Sequence, residues 1–379
     1  MAMITAFTHS LERTQCLLAH GVRRVIMDHP SVGYRTFADT ALPIDGWYAQ
    51  CVALDSHVEW VAAIDVLLHS RNEAAISAAI SAAIRAGVSG FRIQDVALID
   101  WIRSETDAPI MLAPDVGHHS AAAIQYWMAH VDAQSVSNDV PGSVLHTLTD
   151  RYRLEVMVQG PILLQWSQRH YLNGFDQPDV WGYDTEYPGR RLRFWRSEHG
   201  TAMLAYFHRC LAKDREALEA LGVGYWLVDT RGQTDRYLTL ALDLYQTCPS
   251  PDRVKAALVE LETESGCPQR PGFFRGNGTD QDRESPHAGT MLGVIKEYRA
   301  GSHVVMQARA NGHTHDPVMA LTPTQQVKPL SLVGAVTLTG EPVTSFGCGD
   351  WLVLPWQKGV VTKSMVLPLE IDTTTACQA

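Results

Sequence analysis

Between residues 165 and 170 the chain places Gln165, Ser167, Gln168, Arg169 and His170: two carboxamides, a hydroxyl, a guanidinium and an imidazole. Such a set can hold and transform a polar substrate. A guanidinium fork fits a carboxylate or a phosphate, and an imidazole exchanges a proton near neutral pH. The run before it, Leu154-Glu155-Val156-Met157-Val158-Gln159, is too short for a helix and rich in buried-strand residues. It reads as a strand that breaks at Gly160-Pro161 and empties into the polar cluster. Parallel sheets and barrels build sites in this way, past the carboxyl ends of their strands. A solvated loop after a strand is the plainer reading of the same residues.

Other reactive side chains recur at the ends of apolar runs. Asp28, Asp95, Asp115, Asp139 and Asp229 each close one, although any single aspartate there can be a helix N-cap. Arg231 follows Asp229 closely, so its guanidinium either orients an anionic group or pairs with an aspartate. His118, His119, His170, His208 and Cys210 are the candidate metal ligands or acid–base groups. Of these, His170, His208 and Cys210 are the trio for a zinc site, since His and Cys at strand ends on one rim can supply three ligands. No helical HExxH spacing supports it. The chain also lacks a Gly-x-Ser-x-Gly elbow and a phosphate-cradling P-loop.

Composition narrows the classes. Of 379 residues, 46% are hydrophobic and 19% charged, as in ordinary globular proteins. A formal charge of −10 disfavours a nucleic-acid binder. The basic run from Arg190 to Arg196 is therefore expected to pair with carboxylates in a loop. Seven scattered cysteines, none in a CxxC pair, argue against a disulfide framework and a zinc ribbon. No run has the length of a membrane span, and the first residues lack the features of a signal peptide. A cytoplasmic protein with reduced thiols is the expectation.

The elements that must position these residues alternate regularly. Strands are expected over 22–28, 59–67, 89–95, 109–115, 134–139, 154–159, 201–207 and 225–229, and helices between most of them. The helix over 72–86, rich in Ala and Ile and closed by Gly87, is the plainest. About eight strand-then-helix units predict a closed TIM-like (β/α)8 barrel. Beyond 252–265, a last helix, residues 267–287 predict a long loop. From residue 290 onward short β runs alternate with turns, which predicts a small all-β barrel. The expected domains are 1–288 and 289–371, with a tail over 372–379.

Three segments resemble the peptidase U32 family, the collagenase-like proteases, whose members include proteins of oxygen-independent hydroxylation. Residues 87–95 (GVSGFRIQD) look like its "GvdgiivqD" strand. Residues 155–170 look like its hallmark "E-hydrophobic-HG…C…S-G-R-C" segment. Residues 198–231 parallel its "GTyimnskDLC…L…aGvdslkIEGR" segment. The C-terminal β region resembles the barrel appended to longer members. The resemblance implies a TIM-like barrel with hydrolase-type activity.

The departures from that pattern concern the cofactor. Gln159-Gly160 stands for the family's His-Gly, while Leu163 and His170 stand where its hallmark cysteines fall. Residues 176–191 contain no cysteine, and only Cys210 matches a family cysteine. In the hydroxylation-type members four such cysteines hold an iron–sulfur cluster, and one thiolate cannot. No [4Fe-4S] cluster is expected. Ser167 and Arg169 of the "SGR" element remain, as do Asp229 and Arg231 of "IEGR", with Thr230 in place of glycine.

The leading expectation is thus a cluster-less hydrolase-type barrel acting on a peptide-like or small anionic substrate at its rim. Asp95, His170 and Asp229 are its acid–base candidates; Gln94, Ser167, Arg169 and Arg231 are its substrate-binding candidates. The alternatives are a non-catalytic partner subunit of a hydroxylation complex, paired with a second U32-like protein, or an RNA-modification protein.

Overall fold

The computed structural model describes residues 2–36, 42–115, 117–183, 191–247, 249–276, 291–323 and 326–369. The chain divides into two compact units, Met1–Gly278 and Thr279–Ala379. Gly289, where the sequence reading puts the boundary, and the tail over 372–379 lie outside the described residues.

The first unit is the expected barrel. Its strands are β1 (Met3–Thr8), β2 (Arg24–Met27), β3 (Glu59–Ile64), β4 (Gly90–Ile93), β5 (Ile110–Leu112), β6 (Ala133–Ser135) and the first part of β7 (Leu154–Ser167). Three further strands follow: β8 (Asp179–Tyr183), β9 (Arg191–Ser197) and β10 (Gly200–Cys210). The last barrel strand, β11 (Tyr225–Val228), pairs in parallel with both β1 and β7 and closes the ring. Between the strands run α1 (Leu11–Ala19), α2 (Ile44–Leu54), α3 (Glu73–Ala86), α4 (Ala97–Glu105), α5 (Ala121–Met128), α6 (Gly142–His146) and α7 (Arg215–Leu221). The helices α8 (Asp235–Gln246) and α9 (Pro251–Ser265) and the short β12 (Gln269–Arg270) complete the unit. Local chemistry sets several helix starts: Ser10, Ser120, Thr234 and Ser250 each accept a bond from a backbone N–H three residues on.

Two expectations change. The barrel has eight parallel strands, but β1 is one of them and the 201–207 segment is not. Met3–Thr8 is short and interrupted by threonines, so hydropathy does not advertise it; both Thr5 and Thr8 are nonetheless fully buried. The 201–207 segment belongs to β10, which runs antiparallel to β7. The second change concerns Gly160-Pro161, which bends the strand instead of ending it. Up to Gln159, β7 pairs in parallel with β6 and β11; from Gln159 onward it pairs antiparallel with β10, and past Gly160 it leaves the barrel. With β9 and β8 these form an antiparallel ribbon rising from the barrel. Gly160 has φ +137°, and a Cβ there would lie 1.9 Å from the Asp229 carbonyl oxygen. Only glycine permits so close an approach of the two backbones.

Strand parity sorts the side chains. Val25, Met27, Trp60, Ala62, Ile64, Phe91 and Ile93 face the helices in the main core. Phe7, Ile26, Val61, Ala63, Met157 and Leu227 form a separate plug inside the barrel. This alternation decides which rim residues can meet.

The second unit is an antiparallel sheet that curls into a half-barrel. Its strands are β13 (Gly293–Arg299), β14 (His303–Ala308), β15 (Gly312–His313), β16 (Val318–Leu321), β17 (Val327–Leu330), β18 (Ser345–Phe346), β19 (Trp351–Pro355) and β20 (Met365–Pro368). The main sheet has the order β17-β16-β20-β13-β14-β19, and β15 pairs with β18. Ile295, Val304, Met306, Leu352, Leu354 and Val366 are among its core residues. Among the described residues no helix is long and apolar enough to cross a membrane.

Candidate active site

Parity carries the inward-facing rows of the plug past the strand ends. Asp28 lies two residues after Ile26, Asp65 two after Ala63, and Asp229 two after Leu227, so all three enter the barrel mouth. Asp115 enters beside them. Each is almost wholly buried except Asp115, whose side chain is 17% exposed. Two buried arginines meet them. Arg231 donates to Asp229 through Nε (3.0 Å) and Nη2 (2.8 Å) and to Asp65 through Nη1 (2.9 Å). Its guanidinium lies 3.6 Å from the centre of the Phe7 ring. Arg35 reaches Asp115 (3.1 Å), Asp229 (3.3 Å) and the Pro161 carbonyl (3.1 Å). One layer deeper, Arg92 pairs with Glu155.

Burial and pairing pull these groups apart electrostatically. Burial alone would raise the Asp229 carboxyl, but Arg231 and Arg35 outweigh it and hold it below the usual carboxylate range. Asp115 is likewise lowered against its burial, chiefly by Arg35 and Arg231. Asp28 and Asp65 go the other way. Desolvation raises both against the pull of Arg231, taking Asp65 to about 6. Asp28 Oδ2 has no hydrogen-bond partner among the described residues. Of the four aspartates, Asp28 and Asp65 are the two whose carboxyls burial raises.

The mouth is filled from above. Tyr34 and Arg35, on the segment after β2, reach down into it, and the Tyr34 hydroxyl donates to Asp115. The Tyr34 ring rests against Trp166 of the ribbon at 5.1 Å between centroids. The charged network is a buried keystone and not an open pocket.

An open pocket of about 320 Å³ lies at the rim, between the segments after β2 and β3 and the ribbon tip. His69, Arg71, Gln168, His170, Glu198 and His199 line it. Two hydrogen bonds of Thr201 fix the tip: its hydroxyl donates to the Arg169 carbonyl (2.9 Å) and accepts from Tyr171 N–H (3.1 Å). These brace the backbone on either side of His170. His199 Nε2 donates to the Pro30 carbonyl at 2.8 Å and ties the tip to the segment after β2. On the opposite wall, Asn72 accepts from His69 N–H (2.9 Å) and donates to the Leu67 carbonyl (2.8 Å), which folds the turn carrying His69 and Arg71.

The sequence-derived candidates scatter across this architecture. His170 lines the rim pocket, and Arg169 is exposed next to it on the tip. Ser167 accepts from Arg169 N–H at 3.2 Å and shapes the tip from outside the pocket. Asp229 and Arg231 lie in the closed network, so neither can act as an open acid–base group or substrate fork in this arrangement. Asp95 has the opposite parity to Arg92. Its carboxylate accepts from Leu68 N–H (2.7 Å) and Ala97 N–H (2.9 Å), capping α4 and anchoring the turn that bears His69 and Arg71. Gln94, which shares the inward parity of Arg92, has a buried Oε1 with no partner among the described residues.

The zinc trio is not assembled. His208 stands opposite Pro161 in the β10–β7 pairing, six residues of β7 below Ser167, whereas His170 lies beyond Ser167. His208 is buried and neutral, its pKa lowered to about 3 by desolvation and by Arg193, and its Nδ1 shares a hydrogen bond with the Tyr237 hydroxyl at 2.9 Å. Cys210 packs against the Tyr245 hydroxyl at 3.6 Å, its thiol pushed up by burial. His118 and His119 diverge, one toward Gln134 and the other toward Ser137 and Asp139. Among the described residues no three His, Cys, Asp or Glu side chains are grouped to hold a metal ion. Nor do the residues fit a four-thiolate cluster: Leu163 is core, His170 is exposed and Cys210 is engaged by Tyr245.

Residues missed from sequence are His69, Arg71, Glu198, His199, Tyr34, Arg35 and Asp65. Asp65 was recoverable, because it continues the alternation of Val61 and Ala63. The basic run is spent within the ribbon. Arg191 stacks on Trp181 at 4.3 Å, Arg193 pairs with both oxygens of Asp179, and Arg196 donates to backbone carbonyls. Arg190 lies outside the described residues.

Comparison with known proteins adds context. No family model matches the chain, and no curated protein matches it. Among solved structures it is similar to the U32 peptidase Mk0906, at 12% identity over 62% of this chain and 94% of that one, with a TM-score of 0.40. It is also similar to a family GH18 chitinase from Cycas revoluta (10% identity, 64% and 100% covered, TM-score 0.36). A third is oxaloacetate acetylhydrolase in complex with oxalate (10% identity, 70% and 92% covered, TM-score 0.36). These likenesses are distant. Nothing about this chain's chemistry follows from them, and the barrel stands on its own strand pairing.

Proposed function

We propose that this chain is a hydrolase-type barrel enzyme that acts, without an iron–sulfur cluster, on a peptide-like or small anionic substrate at the rim. One observation carries the reading: the rim pocket brings three imidazoles, one carboxylate and one guanidinium to a single opening. His170 takes a proton from water as the oxygen attacks the acyl carbon, and the imidazolium returns it to the leaving nitrogen. Arg71, with Arg169 on the tip beside His170, holds the anionic group. Asp95 acts as a positioning residue through the turn bearing His69 and Arg71. The network of Asp229 and Arg231 supports the rim from below. The reaction class comes from the resemblance of residues 155–170 and 198–231 to the U32 family.

The test is turnover of a library of N-acyl amino acids and short peptides. His170→Ala should lower kcat by about 100-fold or more, and Arg71→Ala should mainly raise KM for anionic members. Because His170 is exposed, its loss leaves the fold intact. Undiminished turnover in folded His170→Ala protein would sink the assignment.

A second reading is a non-catalytic partner subunit of a U32-like pair. The filled mouth supports it, since Tyr34 and Arg35 occupy the place where barrel enzymes keep their reacting groups. Affinity purification from the native host that recovers only this chain counts against it.

A further inference from the structure

The rim pocket uses one face of the ribbon tip; the other face carries a second cleft. Alternation along β7 sends Gln165 and Ser167 to the face opposite Trp166 and Gln168. On that face Gln165, Met203, Phe194 and Val180 stand in register across β7, β10, β9 and β8. They floor a cleft of about 370 Å³ whose walls include Tyr171 and Phe175. Its size falls in the range of small-molecule sites, about 300–1,000 Å³. Among the described residues none of those lining it is charged.

The roof is built, not draped. The Arg196 guanidinium donates to the carbonyls of Leu172 (3.1 Å) and Phe175 (3.2 Å), and Thr201 holds Tyr171 N–H. These bonds spend a buried-side cation and a hydroxyl on holding the 171–175 turn over the sheet. That turn presents two large aromatic residues that stay open to solvent, Tyr171 at 61% and Phe175 at 52% exposure. Exposed aromatic side chains around a preformed apolar cleft mark a binding surface. Gly182 serves the same shape: a Cβ there would come 3.0 Å from the Phe194 ring, so glycine leaves that ring its place on the floor.

We propose that this cleft binds one flat aromatic ring of an uncharged ligand. Tyr171, Phe175 and Phe194 would pack against the ring, and the Gln165 carboxamide and Ser167 hydroxyl would read a hydrogen-bonding edge. Rings on several sides favour an aromatic guest over an aliphatic one, because offset and edge-to-face contacts add to simple burial. Among the described residues no charge lines the cleft, which disfavours an ionised guest that would lose hydration without a partner. The prefixed roof lowers the ordering cost of binding. The site is independent of the hydrolase proposal, lying on the opposite face from His170.

The experiment is calorimetric titration of the full chain with N-acetyl-L-phenylalaninamide, with N-acetyl-L-leucinamide as the aliphatic control. Saturable one-to-one binding is expected, with the leucine analogue about tenfold weaker, the scale of an added aromatic contact. Phe175→Ser and Tyr171→Ser, both at exposed side chains, should each weaken the aromatic probe severalfold, while His170→Ala leaves it unchanged. No saturation at the solubility limit, equal binding of the leucine analogue, or undiminished binding in the Phe175→Ser/Tyr171→Ser double variant would each overturn the proposal. Should the double variant not fold, the comparison of the two probes on the unaltered chain still decides.

Discussion

Arg231 grips Asp229, two residues before it, through both carboxylate oxygens, with Nε 3.0 Å from Oδ1 and Nη2 2.8 Å from Oδ2. Its remaining nitrogen reaches Asp65, and its face covers Phe7. One guanidinium thereby joins groups from the ends of β11 and β3 over a side chain of β1. The barrel mouth is locked by charge as well as by hydrogen-bonded strands.

Replacing Arg231 with alanine leaves Asp229 and Asp65 buried without their main cation. The expected cost is about 3–5 kcal/mol, the usual penalty for removing one partner of a buried pair. Replacing both members, as Asp229→Asn/Arg231→Ala, should cost less than the sum of the two single changes. Denaturant unfolding of the three variants measures this; strictly additive losses would mean the pair is not coupled.

Asp65 makes stability depend on pH. Its folded pKa is about 6 against an ordinary 3.8, so the folded chain binds that proton more tightly than the unfolded chain. This contribution is full below 3.8 and is lost as pH rises through about 6. Asp65→Asn removes the titration. The melting temperature of the natural chain should therefore fall relative to the variant between pH 4 and pH 7.

His208 acts in the opposite sense. Its folded pKa is lowered from 6.5 to about 3, so acid must force a charge into a buried site that the unfolded chain accepts freely. Its stabilising effect is present above 6.5 and is lost as pH falls toward about 3. On acidification from pH 7 to pH 4 the natural chain should lose more stability than His208→Gln. Parallel curves would show that His208 takes up its proton as readily in the folded as in the unfolded chain.

Gly160→Ala tests the bend in β7. The added methyl carbon meets the Asp229 carbonyl oxygen at 1.9 Å, in a backbone conformation with φ +137° that alanine resists. The clash cannot be relieved by turning a side chain, because the obstacle is backbone. A loss of about 3 kcal/mol or more is expected, well beyond the common cost of a point substitution. An unaltered melting curve would show that β11 and β7 are not in this register.

Asp95→Ala separates positioning from chemistry. The carboxylate holds Leu68 N–H and Ala97 N–H, so its loss should cost about 1–2 kcal/mol, as for a helix cap. Amide exchange at Leu68 should quicken, which a purely catalytic role would not produce. Unchanged exchange at Leu68 would remove the assigned role.

The sequence by itself determined the alternation of strands and helices, the change to short β runs, and the chemistry at each strand end. Those features are local: β-branched runs, Ala-rich periodic helices, Ser and Thr caps and glycine stops act within a few residues of themselves. It also singled out His170, Asp229 and Arg231 as candidates. Tertiary structure alone decided what each one meets. Whether an aspartate caps a helix, like Asp95, or enters the mouth, like Asp229, depends on strand parity measured from a core that only the closed barrel defines. The membership of β1 depended on β11 and β2 arriving on either side to cover Thr5 and Thr8. His69 and Arg71 lie about a hundred residues from His170 and Glu198 more than that from His69. Ring closure and the bend at Gly160 bring them to one pocket, because long-range pairing sets distances that sequence spacing does not encode.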